Sequence, residues 1–108
     1  MKLEVGMYVR TKQGHIYKLS RYEEDYNRWI SSGESDWHPV YESLVTKASH
    51  NIVDLIEVGD YVNGWKVLYW TDGTKIVDDG YATNLDKTSV KSIVTKEQFE
   101  SMSYKVGE

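Results

Sequence analysis

The residues of this chain that could carry chemistry are three histidines and two runs of acidic side chains. His15, His38 and His50 show none of the close spacings of a metal site. The acidic runs at 23–25 and 78–79 could bind a divalent cation, but neither has the glycine and terminal glutamate of a calcium loop. The chain has no cysteine, no phosphate-binding glycine loop and no nucleophile elbow. We therefore predict a protein that is not an enzyme and that uses no metal or cofactor.

The aromatic residues point to binding instead. The chain has nine Tyr and four Trp against one Phe, and the first half concentrates several of them around an arginine. Aromatic side chains can fill the core of a small β protein, but a core would repeat in the second half. This cluster has no equally dense counterpart there. Exposed aromatic residues with arginine are typical of interface hot spots. The predicted partner-binding residues are Tyr22, Tyr26, Arg28, Trp29, Trp37 and Tyr41.

Two phrases of the sequence occur twice and indicate an internal repeat. Residues 3–9 read LEVGMYV and residues 56–62 read IEVGDYV, while residues 104–108 begin the phrase again as YKVGE. A second phrase, SLVTK at 43–47, returns as SIVTK at 92–96. Such self-similarity is the signature of a repeated structural unit. We predict a first β repeat at residues 1–55 and a second at 56–108, packed together because so small a unit has little core of its own.

Alternation of apolar and polar residues predicts short strands in both repeats. The Asn63-Gly64 pair is typical of a two-residue hairpin turn. Strands are also predicted at residues 42–46, at 88–94 and at 52–56, the last continuing into the second copy of the first phrase. The glycines of that phrase indicate a bulge or a close backbone approach. One short helix is predicted at 96–102, where Thr95 and Gln98 have the spacing of a capping box.

These elements predict an all-β protein. Each repeat reads as five short strands with a helical turn before the last, which resembles the small Src-homology-3-like (SH3-like) barrel. The prediction is therefore two tandem SH3-like barrel repeats with a short C-terminal helix. The alternative is one antiparallel sheet shared by both halves, because residues 52–62 could form a single long strand.

The charge balance favours a protein partner over a polyanion. The formal net charge is −4, and binding to nucleic acid is driven mainly by neutralising phosphates. The alternative is a nucleic-acid-binding small barrel, in which aromatic rings stack on bases and Arg10, Lys12 and Arg21 contact phosphates. No stretch has the length of a membrane span or the pattern of a signal peptide, so we expect a cytoplasmic protein without a membrane partner.

Residues 47–64, residues 93–102 and the opening VGMYVRT at 5–11 resemble small proteins carried by phages and prophages of Gram-positive bacteria. The resemblance implies a counter-defence protein that acts in the host cytoplasm, and anti-CRISPR inhibitors of type II Cas nucleases are a prominent class of that size. The implied partner is a host Cas nuclease. We expect the protein to block a surface of the nuclease and not to mimic DNA, because a mimic of the phosphate backbone would be more acidic than −4. A phage structural or assembly protein is a further alternative.

Overall fold

The computed structural model describes residues 2–32, 37–71, 74–78 and 83–102. The chain divides into two compact units, residues 1–55 and 56–108. The third copy of the repeated phrase, at 104–108, lies outside the described residues. That the two repeats pack together as one unit remains a prediction.

The described elements are short. The first unit contains β1 (Tyr8–Thr11), β2 (Ile16–Lys18), β3 (Arg21–Glu23), β4 (Arg28–Ser32), β5 (Trp37–Val40) and β6 (Val45–Ser49), with 3₁₀ helices at Glu24–Tyr26, Glu42–Leu44 and Ile52–Leu55. The second unit contains β7 (Tyr61–Val62), β8 (Trp65–Thr71), β9 (Thr74–Val77), β10 (Thr83–Asn84), β11 (Ile93–Val94) and α1 (Lys96–Met102).

The strands form three antiparallel sheets, so the prediction of a mainly β fold with a short C-terminal helix is confirmed. The sheet orders are β2-β1-β6, β3-β4-β5 and β10-β9-β8-β7-β11. None of these described sheets closes into a barrel, and the SH3-like repeats are not confirmed. The alternative of one shared sheet is wrong, because each sheet takes its strands from one unit.

Both units have the same strand order. In the first unit, two backbone hydrogen bonds of residues 19 and 20 connect the sheet of β1 with the sheet of β4. The Leu19 N–H donates to Met7 O at 2.8 Å, and the Ser20 N–H donates to Ile30 O at 2.8 Å. The segment 16–23 therefore lies between β1 and β4, as β8 lies between β7 and β9. Four core positions also correspond: Leu3, Val9, Leu19 and Val40 in the first unit match Ile56, Val62, Val67 and Leu85 in the second, where Val77 joins the cluster.

The repeated glycines occupy the same turn in the two units. Gly6 has φ +90° and Gly59 has φ +99°, a region that L side chains rarely adopt. The Gly6 N–H donates to Leu19 O at 2.8 Å, and the Gly59 N–H donates to Val67 O at 3.0 Å. These glycines lie in a turn before the first strand of each unit and not in the predicted strand itself.

Three further strand predictions differ from the structure. Residues 42–44 form a 3₁₀ helix, and the strand begins only at Val45. Residues 52–55 also form a 3₁₀ helix, so no strand continues into the second copy of the phrase. Of residues 88–94, only Ile93–Val94 is a strand.

The predicted hairpin and helix are confirmed. Val62 pairs with Trp65 across the Asn63-Gly64 turn, in which Asn63 has φ 55° and Gly64 φ 85°. The helix α1 begins at Lys96. Within the described ranges, no helix combines the length and the apolar character that crossing a membrane requires.

Candidate functional site

The β3–β4 hairpin brings the predicted aromatic residues to one small sheet. Its loop is the 3₁₀ helix Glu24–Tyr26, followed by Asn27 with φ 49°. Asparagine tolerates this left-handed conformation better than most residues, and the Asn27 N–H closes the turn on Glu24 O at 3.3 Å. The tight loop places Tyr26 directly beside the first residue of β4, Arg28.

Arg28 is the centre of the cluster. Its Nε donates to Glu23 Oε1 at 2.8 Å, across a cross-strand pair of the β3–β4 ladder. Its guanidinium carbon lies 4.6 Å from the ring centroid of Tyr26 and 5.4 Å from that of Trp37. Both distances are within the range of a cation–π interaction, about 6 Å. The Tyr41 side chain also forms a hydrogen bond with Arg28. The side chains of Glu23, Tyr26, Trp37 and Tyr41 therefore meet at Arg28, and we call these five residues the Arg28 cluster.

The ion pair between Glu23 and Arg28 favours the charged form of both side chains. The hydrogen bond from Arg28 is the main reason why the pKa of Glu23 is lowered, and the charges of Arg28 and Arg21 add to it. The hydrogen bond to Glu23, and then one with the Tyr41 side chain, raise the pKa of Arg28. Arg21 Nη2 lies 3.6 Å from Glu23 Oε2, but its side chain is 62% exposed. The close pair of this site is thus Glu23 with Arg28.

Tyr22 and Trp29 lie on the opposite face of the sheet from Arg28. They are partners in the β3–β4 ladder, one position along from Glu23 and Arg28, and neighbouring positions on a strand point to opposite faces. Their ring centroids are 5.2 Å apart. Together with Lys2, Leu3 and Glu42 they line a shallow cleft of about 330 Å³.

The six predicted residues therefore lie in one sheet or directly beside it, but on two faces: Tyr26 is in the loop before β4 and Tyr41 follows β5. Tyr26 is 64% exposed, Trp37 55%, Tyr22 45% and Tyr41 42%. Trp29 is half-buried and packs against the core of the first unit. The surface available to a partner thus consists mainly of the aromatic side chains of the Arg28 cluster, Tyr26, Trp37 and Tyr41. Tyr22 is exposed on the other face.

Arg10 does not belong to any basic surface. Its side chain is 1% exposed, and Nη1 donates to Leu55 O at 2.9 Å, closing the end of the 3₁₀ helix. The interpretation of Arg10 as a phosphate contact is wrong, because a buried guanidinium that binds a backbone carbonyl is not offered to a ligand. Lys12 is exposed, as is Arg21.

Exposed aromatic residues of the second unit were missed. Trp65 is 49% exposed, Tyr69 53% and Trp70 55%, and Lys75 Nζ lies 5.8 Å from the centroid of the Trp70 ring. Trp70 pairs with Lys75 as Tyr22 pairs with Trp29. Aligning β8 with residues 16–23, rather than counting aromatics by position, would have found this pair.

Two of the three histidines lie against the Tyr17 ring, and the third lies beside Glu4. His15 Nδ1 lies 3.2 Å from the Tyr17 hydroxyl, and the rings of Tyr17 and His38 have centroids 5.6 Å apart. His50 lies 3.5 Å from the carboxylate of Glu4. In the part of the chain that the structure describes, no three His, Asp or Glu side chains are grouped as a metal site requires.

Comparisons of the chain with protein-family models, with curated proteins and with solved structures found no match.

Proposed function

We propose that this protein is a non-catalytic binding protein that blocks a surface of a protein partner with the Arg28 cluster. The observation that carries the proposal is the exposure of Tyr26 and Trp37, 64% and 55%, on either side of an arginine that is already held by Glu23. Large aromatic anchors held in one place are the side chains that dominate binding energy at protein interfaces. Glu23 and Tyr26 of the cluster line an open depression, which suits a protein surface better than a small ligand.

The resemblance to small phage and prophage proteins gives the partner its proposed identity. A counter-defence inhibitor in the host cytoplasm would bind a defence protein, and a Cas nuclease is the leading candidate. The net charge of −4 supports blocking of a protein surface over mimicry of nucleic acid, because a mimic must match a dense phosphate charge. No residue is assigned a catalytic role in this proposal.

A nucleic-acid-binding protein is the second candidate, and one observation favours it. Trp65, Tyr69 and Trp70 are exposed on β8, and Lys75 lies against Trp70. Aromatic rings with nearby cations can stack the bases of a single strand. The burial of Arg10 removes one phosphate contact from this reading, which leaves Lys12 and Arg21 as the basic residues of the first unit that it would use.

We also propose that each unit is an open form of the SH3-like barrel. The shared strand order supports this, with the first strand of each unit lying between the second and the last. In the first unit the 3₁₀ helix Glu42–Leu44 directly precedes the last strand, as expected for such a fold. On this view the two units are copies of one scaffold that carry different surfaces.

Capture of a partner tests the proposed function. Tagged protein is incubated with phage-host lysate treated with nuclease, and retained proteins are identified by mass spectrometry. Trp37→Ala removes an exposed ring and is expected to weaken capture by at least tenfold, because truncating a hot-spot side chain costs about 2 kcal/mol or more. Trp65→Ala is the matched control, because Trp65 is a similarly exposed tryptophan of the second unit, 49% against 55% for Trp37.

Three results would contradict the proposal. Capture of the same partner by Trp37→Ala and by the unaltered chain would remove the Arg28 cluster from the interface. Capture only when nucleic acid is left intact, with loss in Trp70→Ala, would favour the nucleic-acid-binding candidate. Self-association of the purified chain without any other partner would favour a structural or assembly protein.

A further inference from the structure

Arg28 is the least exposed residue of the Arg28 cluster. Its side chain is 19% exposed, whereas Tyr26 is 64% and Trp37 55% exposed. A partner can contact only what is exposed, so most of the area that this cluster offers belongs to the rings. The sequence predicts Arg28 as a contact residue, but its burial gives it a different role.

The surroundings of Arg28 fix it from several directions. Glu23 Oε1 accepts a hydrogen bond from Arg28 Nε at 2.8 Å, which fixes the position of one edge of the guanidinium group. The Tyr26 ring comes from the loop before β4, and the Trp37 ring from the beginning of β5 on the other side of β4. Both rings contact the same guanidinium, at 4.6 and 5.4 Å. Arg28 is therefore a contact shared by two aromatic side chains from separate segments.

We infer that Arg28 is a positioning residue, which holds the rings of Tyr26 and Trp37 in one orientation so that their outer faces meet the partner. The statement about the partner rests on the proposed binding function, whereas the ordering of the rings is a property of the free protein. Side chains that are ordered before binding lose less conformational entropy when the complex forms. Arg28 thus raises affinity mainly through the rings it supports.

The role requires a guanidinium and not merely a positive charge. Arginine is planar, stacks on aromatic faces and offers several donors in a fixed fork, whereas lysine is a compact, strongly hydrated point charge on a flexible stem. Arg28→Lys keeps the charge beside Glu23 but removes the plane on which the two rings rest. The inference therefore predicts that lysine does not replace arginine here.

The ordering can be measured in the free, full-length chain. The indole N–H of Trp37 is assigned in ¹⁵N-labelled protein with a Trp37→Phe variant, and its order parameter is obtained from relaxation. The expected value falls from that of a rigid group, about 0.85, to below about 0.6 in Arg28→Lys. Arg21→Lys is the matched control, because Arg21 approaches the same Glu23 at 3.6 Å but is 62% exposed; the order parameter should not change there.

Chemical rescue separates the shape of the guanidinium from its charge. In Arg28→Ala, methylguanidinium at millimolar concentration is expected to restore the Trp37 indole shift and order parameter, while methylammonium at the same ionic strength does not. Equal effects of the two cations, or an ordered Trp37 indole in Arg28→Lys, would overturn the inference. If Arg28→Ala fails to fold, the comparison of Arg28→Lys with Arg21→Lys still decides the question.

The binding arm keeps this inference distinct from the proposed function. With the captured partner, Trp37→Ala should lose at least tenfold in affinity and Arg28→Lys about threefold to tenfold. One outcome refutes positioning and leaves the proposed function in place: Trp37→Ala loses binding, while Arg28→Lys keeps both the order of the Trp37 ring and the affinity. Disordered rings in Arg28→Lys with unchanged capture by both variants support positioning of the rings and refute the proposed interface.

Discussion

Removal of the Asp60 carboxylate should destabilise the second unit more than the loss of any surface charge. Asp60 is fully buried and joins two segments through its two oxygens. Oδ2 accepts from the Glu57 N–H at 2.7 Å, and Oδ1 accepts from the Lys96 N–H at 2.8 Å. One side chain thus closes the turn before β7 and satisfies a free N–H in the first turn of α1.

The magnitude follows from these two bonds. A hydrogen bond to a charged group contributes about 1.5–3 kcal/mol to stability. We take the lower limit for each of the two bonds. We expect Asp60→Ala to lower the free energy of unfolding by about 3 kcal/mol, and Asp60→Asn, which keeps one acceptor oxygen, by roughly half as much. In a domain of this size the alanine variant should lower the Tm by about 12 °C or more.

Thermal unfolding followed by circular dichroism measures the loss, and amide exchange at Lys96 reports the local opening. Asp25→Ala is the control, because Asp25 is an exposed carboxylate in the loop of the first unit. Asp60→Ala within about 0.5 kcal/mol of the unaltered chain, the range of ordinary surface substitutions, would refute the assignment of these two hydrogen bonds.

Three further outcomes are expected. Gly59→Val should destabilise by about 2 kcal/mol, because φ is +99° and the left-handed region costs L residues about 1–2 kcal/mol; an unchanged thermal midpoint would contradict this. Arg10→Met should cost about 2 kcal/mol in a denaturant titration, since it leaves the Leu55 carbonyl without its charged donor; a fully stable variant would show the bond to be dispensable. The pKa of Asp86 is lowered, first by the Thr88 hydroxyl and then by backbone N–H groups. Its contribution to stability is therefore complete above its unfolded pKa and is lost as pH falls through the folded pKa; Thr88→Val should raise that pKa in an NMR titration, and an unmoved pKa would exclude the hydroxyl as its cause.

The local features of the repeat were predictable because a few adjacent residues determine them. The phrase around Gly6 and Gly59 gives the same positive φ in both copies. The capping box was equally readable: the Thr95 N–H donates to Gln98 Oε1 at 3.2 Å and the Gln98 N–H to Thr95 Oγ1 at 3.3 Å. Such motifs need no information about distant parts of the chain.

The second repeated phrase predicts the wrong equivalence. Its letters align Val45 with Val94, but the ladders pair Ser49 with Tyr8 and Val94 with Tyr61. Ser49 is therefore the residue that takes the place of Val94. The register of a strand is set by its partner and by the preceding turn, and a similar run of letters outside that register has no structural meaning.

Residues 52–55 show why a short apolar run is ambiguous. A buried strand and a buried helical turn have the same composition over four residues. Here side chains just before the run decide: Asn51 Oδ1 accepts from the Val53 N–H at 3.1 Å, and the Ser49 hydroxyl donates to Asp54 Oδ2 at 2.6 Å. These local bonds compete with pairing in a ladder and favour the 3₁₀ helix.

The candidate site could be predicted only as a group of residues. Counting aromatics near Arg28 identified the right hairpin, but the two faces follow from the register, in which Glu23 pairs with Arg28 and Tyr22 with Trp29. The contact between Arg28 and Trp37 joins β4 to the neighbouring strand β5. Contacts between strands of this kind depend on loop geometry that composition does not contain.

The two units differ at the position on which the proposed function depends. Thr71 pairs with Thr74 in β8 and β9, where Glu23 pairs with Arg28 in β3 and β4. The scaffold positions around this site match, since Ile30 and Ile76 are both buried next to it. The second unit keeps the core and the glycine turn but has two threonines at the positions of the ion pair. The Arg28 cluster is therefore a property of the first unit's surface and not of the fold, which is why the proposed binding surface lies on the first unit.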